Sequence, residues 1–145
     1  MENISKEYQH QHDLNGCGIA CLANLLNKEY LEIKSDFENN FYKVDKGIKV
    51  SDLVKYLNSK GLNYAVKFCN TKRDVTPESV SLASKLNSIT LIRKSKKYPI
   101  GHYLLKVETG WVDPWMNLPS IHNVYAGIRK ELPEKPWYII YSLQN

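Results

Sequence analysis

Long apolar runs are missing from this chain. The longest extend four or five residues, against the roughly 20 that a helix needs to cross a bilayer, so no membrane span is expected. The first residues, Met1-Glu2-Asn3-Ile4-Ser5-Lys6-Glu7, have no apolar centre of the kind a secretory signal carries. Cysteine is scarce: three residues cannot all pair, and none stands in a disulfide-framework spacing. That pattern fits a reducing, cytoplasmic setting or a reactive thiol. Zinc-finger spacing, a helix-turn-helix signature and a glycine-aromatic platform are all absent, so no nucleic-acid partner is expected. The net charge of +5 comes from 20 basic and 15 acidic residues. These are dispersed except at Arg93-Lys94-Ser95-Lys96-Lys97, a run that reads as a solvated hairpin or loop. No repeat, linker or low-complexity stretch interrupts the 145 residues, so one domain over 1–145 with one core is expected. A hydrophobic content of 43% and a charged content of 24% are ordinary for a globular protein. Tyrosine is the residue in surplus, at ten, and these side chains are expected along the boundary of the core.

The most informative stretch runs from Gln11 to Leu26: Gln11-His12-Asp13-Leu14-Asn15-Gly16-Cys17-Gly18-Ile19-Ala20-Cys21-Leu22-Ala23-Asn24-Leu25-Leu26. A polar, glycine-bounded turn leads into strong helix formers with apolar residues at three- and four-residue spacing. Cys17 then falls in the first turn, where unpaired N–H groups and the helix dipole favour a thiolate. Gly16 and Gly18 leave room for a substrate backbone. Gln11 can offer its side-chain amide to an oxyanion beside the Cys17 N–H. Together these are half of an acyl-transfer site.

Gln11, five intervening residues, and then Cys17-Gly18-Ile19-Ala20-Cys21-Leu22-Ala23 resemble the active-site helix of papain-like cysteine peptidases. Within that group the pattern is most similar to the bacteriocin-processing branch, which removes double-glycine leader peptides. The resemblance implies an α+β papain-like fold and a general base on a later strand.

Element order agrees with an α+β class. A helix is expected from about Cys17 to Asn27, a second over Tyr30 to Asn40, and a third from Val50 or Ser51 to a stop at Gly61. Asp45-Lys46-Gly47 is a turn signal. Tyr64 to Phe68 alternates as a strand. Thr76 caps a helix ending near Leu86, with Pro77 in its first turn. Strands follow at Ser88–Arg93, His102–Val107 and Trp111–Asp113, and a last strand from Trp137 to Leu143 closes a mostly antiparallel sheet.

A thiolate nucleophile needs a proton donor for the leaving amine, and histidine suits neutral pH. His10 and His12 precede the nucleophile, against the order of the resembled family, and His122 stands in a loop-like stretch. His102 opens a strand in Gly101-His102-Tyr103-Leu104-Leu105, as the base does in papain-like families. Asp113-Pro114 resembles the Asp-Pro that ends the return strand in the bacteriocin-processing peptidases, with Trp111 and Trp115 as flanking shields. Asp113 is therefore the expected orienter of His102. Asn117 is the alternative, because a tight turn at Thr109-Gly110 would set Lys106 opposite Asp113 and Asn117 opposite His102.

Bland readings compete at each position. Cys17 could be a buried structural cysteine, His102 a satisfied strand histidine, and His10-Gln11-His12 the start of a metal site with Cys17, Cys21 or His122. Cys21 is expected to face the core, and Cys69 to end a strand inertly. The expectation that emerges is a thiol peptidase using Cys17, His102, Asp113 and Gln11, with no metal or organic cofactor and with a protein or peptide as substrate. The same set also serves bacterial toxin or effector domains that act as proteases, deamidases or transamidases. Such a domain would work in the cytoplasm of a target cell and would have a cognate inhibitor or immunity protein.

Overall fold

Apolar residues at helical spacing come first in the chain and alternating residues come later, and the architecture follows that division. The computed structural model describes residues 7–69 and 75–144; residues 1–6 of the expected lead-in lie outside these. Among the described residues, four α-helices span α1 (Cys17–Leu26), α2 (Tyr30–Asn40), α3 (Val50–Ser59) and α4 (Pro77–Ala83). Six strands span β1 (Tyr64–Phe68), β2 (Ile89–Ile92), β3 (His102–Val107), β4 (Gly110–Asp113), β5 (Gly127–Arg129) and β6 (Pro136–Ser142). They form one antiparallel sheet in the order β1-β6-β2-β3-β4-β5. The chain is therefore α+β, with no helix among the described residues long and apolar enough to cross a membrane.

Two features of the sheet depart from the sequence reading. The last strand does not close an edge: β6 lies inside, between β1 and β2. Its core positions Ile139 and Ile140 point to opposite faces and are both fully buried, which only an interior strand covered on both sides allows. The edges are β1 and β5, and β5 is a strand the sequence reading missed. Its three residues are too few for a periodic signal. The turn expected at Asp45-Lys46-Gly47 is a short 3-10 turn over Val44–Lys46 that ends at Gly47. The fourth helix stops at Ala83, before the expected Leu86. Its last carbonyls are taken early: Ser88 Oγ donates to the Leu82 carbonyl.

Helix α1 is buried from Gly18 through Asn24, so it is wrapped on every side, unlike a surface helix with one apolar stripe. It lies between α2 and β3, and Ile19 and Leu22 are completely covered. Each such side chain contributes about 1.5–3 kcal/mol through burial. The segment ahead of α1 is fastened by polar contacts. The Asn24 side chain accepts from the Gln9 N–H at 2.8 Å and donates to the Gln9 carbonyl at 3.0 Å. Asp13 accepts from the Tyr30 hydroxyl at 2.7 Å and from Lys34 at 3.1 Å. Residues 9–16 are thereby pinned to α1 and α2.

Gly16 and Gly18 do not leave room for a substrate. Both are buried, and the space where a Cβ would sit is filled from within the fold. At Gly18 that space meets Ile48 at 3.2 Å and Tyr103 at 3.4 Å; at Gly16 it meets the Tyr30 hydroxyl at 2.0 Å. Replacing Gly16 with alanine should cost about 1–3 kcal/mol through overpacking. Combined with Tyr30→Phe, which removes the colliding oxygen, the loss should be smaller than the sum of the two single losses. Thermal unfolding of the four proteins measures this, and simple additivity would show that the Tyr30 contact does not govern Gly16.

Candidate active site

The site is assembled by the start of α1, the start of β3 and the end of β4. Cys17 is the first residue of α1, half-buried, at the end of the helix that faces β3. The N–H of Tyr103 points at its Sγ from 3.5 Å, which seats the sulfur against the first residues of β3. The Tyr103 side chain lies on the helix-covered face and donates its hydroxyl proton to the Ile48 carbonyl at 2.8 Å. His102, one residue earlier, belongs to the opposite face by strand alternation. There its ring stacks on Tyr98 at 4.9 Å and 17°.

Asp113 meets His102 because of the hairpin register. Strands β3 and β4 pair Leu105 with Val112, Lys106 with Trp111 and Val107 with Gly110. The two loop residues are thus Glu108 and Thr109, one position earlier than the turn considered from sequence. Continuing this register puts His102 level with Trp115, and Asp113 becomes its diagonal neighbour on the same face, within reach of a long side chain. The contact is made: His102 Nε2 and Asp113 Oδ1 lie 2.7 Å apart. Asn117 is not opposite His102. Its amide donates to the carbonyls of His122 and Asn123 at 3.2 and 3.1 Å and accepts from the Tyr125 N–H at 3.3 Å, so it organises its own loop.

The sequence reading missed the third partner of Asp113. Arg129 pairs with Trp111 across β4 and β5, which makes it the diagonal neighbour of Asp113 from the other side. Its Nε donates to Asp113 Oδ2 at 2.7 Å, and the Trp115 N–H donates to Oδ1 at 2.9 Å. Gly110 is what admits this strand, because a Cβ there would stand 2.2 Å from the Arg129 carbonyl oxygen. The only sequence signal was an arginine within a short, weakly patterned run, and it becomes meaningful only once β5 is paired.

Electrostatics follow from these contacts. Burial alone drives the His102 pKa down, but the hydrogen bonds and charges of Asp113 and Cys17 outweigh it and lift the imidazole from 6.5 to about 9. Burial drives the Asp113 carboxyl up, and it is overcome by His102, Arg129 and the Trp115 N–H, which leave it below its ordinary value. With Nε2 turned to Asp113, Nδ1 is the ring nitrogen available to Cys17. Of the other cysteines, Cys21 faces the core and burial raises its thiol pKa strongly. Cys69 is buried beside Ser79, its sulfur 3.4 Å from the hydroxyl.

Gln11 is placed differently from expectation. It is 4% exposed, and both its amide protons are donated, to the carbonyls of Asp13 and Leu14 at 2.9 Å each. Its Oε1 is buried without a partner, and its backbone N–H bonds the Pro114 carbonyl at 3.1 Å. Gln11 thus clips the loop before Cys17 to the end of β4, and it lines a small pocket beside the Cys17 cleft. The cleft itself holds about 330 Å³ between Leu14, Asn15 and Cys17 on one side and Lys96 to His102 on the other. Trp115 lies in its wall, and its indole N–H is satisfied by the Ser120 carbonyl at 2.9 Å. His10 and His12 stack on one another at 4.7 Å, and His12 stacks on Tyr30 at 4.3 Å. Among the described residues no group of three potential metal ligands gathers. The exposed His122 stays in its loop.

Compared with known proteins, the chain matches no family model and shows no significant similarity to any curated protein. The arrangement stands on its own geometry: a thiol, an imidazole and a carboxylate in series, with the carboxylate neutralised from behind.

Because Asp113 is held below its ordinary pKa, its contribution to stability is present above about pH 4 and is lost as the pH falls through its folded value. Arg129→Met removes one cause of that depression. The unfolding temperature of the variant, scanned from pH 7 to pH 3, should therefore lie below the parent's at pH 7 and drop less below about pH 4, so that the two curves converge in acid. Parallel curves would mean that Arg129 does not sustain the carboxylate.

Proposed function

We propose that this protein is a papain-like thiol acyl-transfer enzyme, a cysteine peptidase that hydrolyses peptide bonds through Cys17, His102 and Asp113. The observation that carries the reading is the buried His102 imidazole, held at Nε2 by Asp113 at 2.7 Å, with the Cys17 sulfur seated against the N–H of the next residue, Tyr103, at 3.5 Å. An imidazole raised to about 9 is an imidazolium at neutral pH, and beside a thiol it favours the thiolate–imidazolium pair. The Cys17 Sγ attacks the carbonyl carbon and forms the C–S bond. The imidazolium gives its proton to the departing amine as the C–N bond breaks. Water, deprotonated by His102, then attacks the thioester and returns the thiol.

The developing oxyanion is met by the Cys17 N–H, one of the first-turn donors of α1 that have no acceptor within the helix. Gln11 can join it only by giving up its bonds to Asp13 and Leu14. In the resting fold its role is to hold that loop. Gln11→Ala should therefore lower both activity and the rate of Cys17 labelling. A variant with normal labelling and kcat reduced by roughly 10²–10³-fold would assign Gln11 to the oxyanion instead.

Two measurements test the reading. Iodoacetamide near pH 6, followed by peptide mass spectrometry, should modify Cys17 rapidly and leave Cys21 and Cys69 unmodified; equal labelling of all three removes the basis for a nucleophile. A proteome treated with the parent and with Cys17→Ala should show new peptide termini only with the parent. New deamidated side chains without new termini would place the same site among deamidases. The alkaline limb of the pH–rate profile should lie near pH 9 and move to lower pH in Asp113→Asn, which removes the charge that favours the imidazolium.

A further inference from the structure

The walls of the Cys17 cleft carry cations and apolar groups and no carboxylate: its lining includes Lys96, Lys97, Leu14, Ile100 and Leu118, and neither aspartate nor glutamate. The run from Arg93 to Lys97 divides its charges. Arg93 and Lys94 sit over the Trp137 ring, and Arg93 donates to the Cys69 carbonyl. Lys96 and Lys97 are exposed at the cleft, with Lys97 Nζ 5.7 Å from the centre of the Tyr98 ring. Across Asn15, whose amide donates to the Asp45 carbonyl at 2.7 Å, a second hollow of about 480 Å³ opens between Tyr42 and Lys49. Lys43, Lys46 and Lys49 line it and are exposed. None of these five lysines has an acidic partner among the described residues, whereas Lys28, Lys34, Lys60 and Lys67 each pair with a carboxylate. The acids on that flank are Asp45, exposed in the wall of the same hollow, Glu38, which accepts from the Val44 N–H at 2.9 Å, and Asp52, which accepts from the Tyr42 hydroxyl. Between the two cationic flanks, Leu14 and Ile100 stand 69% and 53% exposed.

We infer that the substrate is an acidic polypeptide segment, laid across Cys17 with apolar residues against Leu14 and Ile100 and with Asp or Glu side chains reaching Lys96 and Lys97 on one flank and Lys43, Lys46 and Lys49 on the other. The inference rests on the peptidase reading for the position of the reacting carbonyl, and it adds the substrate's chemical class. Unpaired surface cations of one sign on both sides of a cleft raise the local concentration of an anionic chain and speed its capture. Each exposed contact is worth at most about a fivefold change in affinity, and salt screens it. Discrimination therefore accumulates over several contacts. A nucleic acid is the other polyanion such a surface could attract, but the exposed groups Leu14 and Ile100 are aliphatic and the rings in the cleft wall, Tyr98 and Trp115, are buried, so its bases meet no exposed aromatic platform.

Binding read in the full chain carrying Cys17→Ala separates this inference from the chemistry. Fluorescence anisotropy at low salt should show an acidic, apolar-centred peptide bound at least tenfold more tightly than its lysine-for-acid counterpart, with the gap closing at about 500 mM salt. Lys96→Glu with Lys97→Glu should weaken the acidic peptide by about tenfold, and so should the triple reversal at Lys43, Lys46 and Lys49. A control that changes net charge elsewhere, Lys55→Glu with Lys130→Glu, should shift binding by less than twofold. Equal affinity for the two peptides, tighter binding of a single-stranded oligonucleotide, or an equal loss in the control each overturns the inference. Cleavage and Cys17 labelling are scored in the parent. Acidic-peptide binding without either sinks the peptidase reading and leaves the cationic track standing. Cleavage with no preference for acidic peptides does the reverse.

Discussion

A carboxylate with no exposed surface has to be satisfied from inside the protein, and Asp113 sets that demand at the centre of this fold. Left alone in such a place it would take up a proton; with one partner removed, a buried pair costs about 3–5 kcal/mol. Three donors prevent this: His102 from β3, Arg129 from β5 and the Trp115 N–H from its own chain just beyond β4. The two side-chain donors approach along opposite diagonals of the sheet. A shift of register in either neighbouring strand would turn a partner to the other face. The order β3-β4-β5 and the short loop at Glu108-Thr109 are therefore tied to the same carboxylate.

Arg129 alters what the other two charges do. It balances Asp113 permanently, since a guanidinium does not lose its proton in the working pH range. His102 can then form a neutral pair with Cys17 without leaving a net buried charge in either direction. A folded-state pKa of about 9 means that the imidazolium stabilises the fold fully below about pH 6.5, and that this contribution is lost as the pH rises through 9. The Asp113–Arg129 pair persists above that point. The Asp113 carboxylate thus remains in place whether or not the imidazole is protonated.

Cys17 reaches this cluster by a separate route. Helix α1 is buried on all sides, so it cannot slide, and the loop before it is held by Asn24, Tyr30, Lys34 and the Gln11 amide. The Gln11 N–H bond to Pro114 ties this loop directly to the residue after Asp113. Loop and hairpin are joined at the place where the three side chains must agree in position. An unpartnered Gln11 Oε1 is the one buried polar atom in that joint left unsatisfied, a burden of about 1–3 kcal/mol.

Local pattern was enough to determine the helices and most strands, because apolar spacing of three to four residues or of two reflects which face meets the core. The start of α1 at Cys17 and the full extent of α2, β1 and β3 were legible in this way, and the candidacy of Cys17, His102 and Asp113 came from residue type together with the resemblance to papain-like peptidases. Tertiary structure decided the rest, for reasons no local window contains. The interior position of β6 depends on the return of the chain's last residues between strands formed much earlier. The choice of Asp113 over Asn117 depends on a one-residue difference in where a hairpin turns. Arg129 gains its place only when a three-residue edge strand is paired. The glycines beside Cys17, open to a substrate by sequence logic, are filled by Tyr30, Ile48 and Tyr103 from elsewhere in the fold. Residue type and spacing set which chemistry the chain could carry. Pairing across the sheet decided which side chains meet to carry it, because hydrogen-bond register and close packing join residues that sequence distance keeps apart.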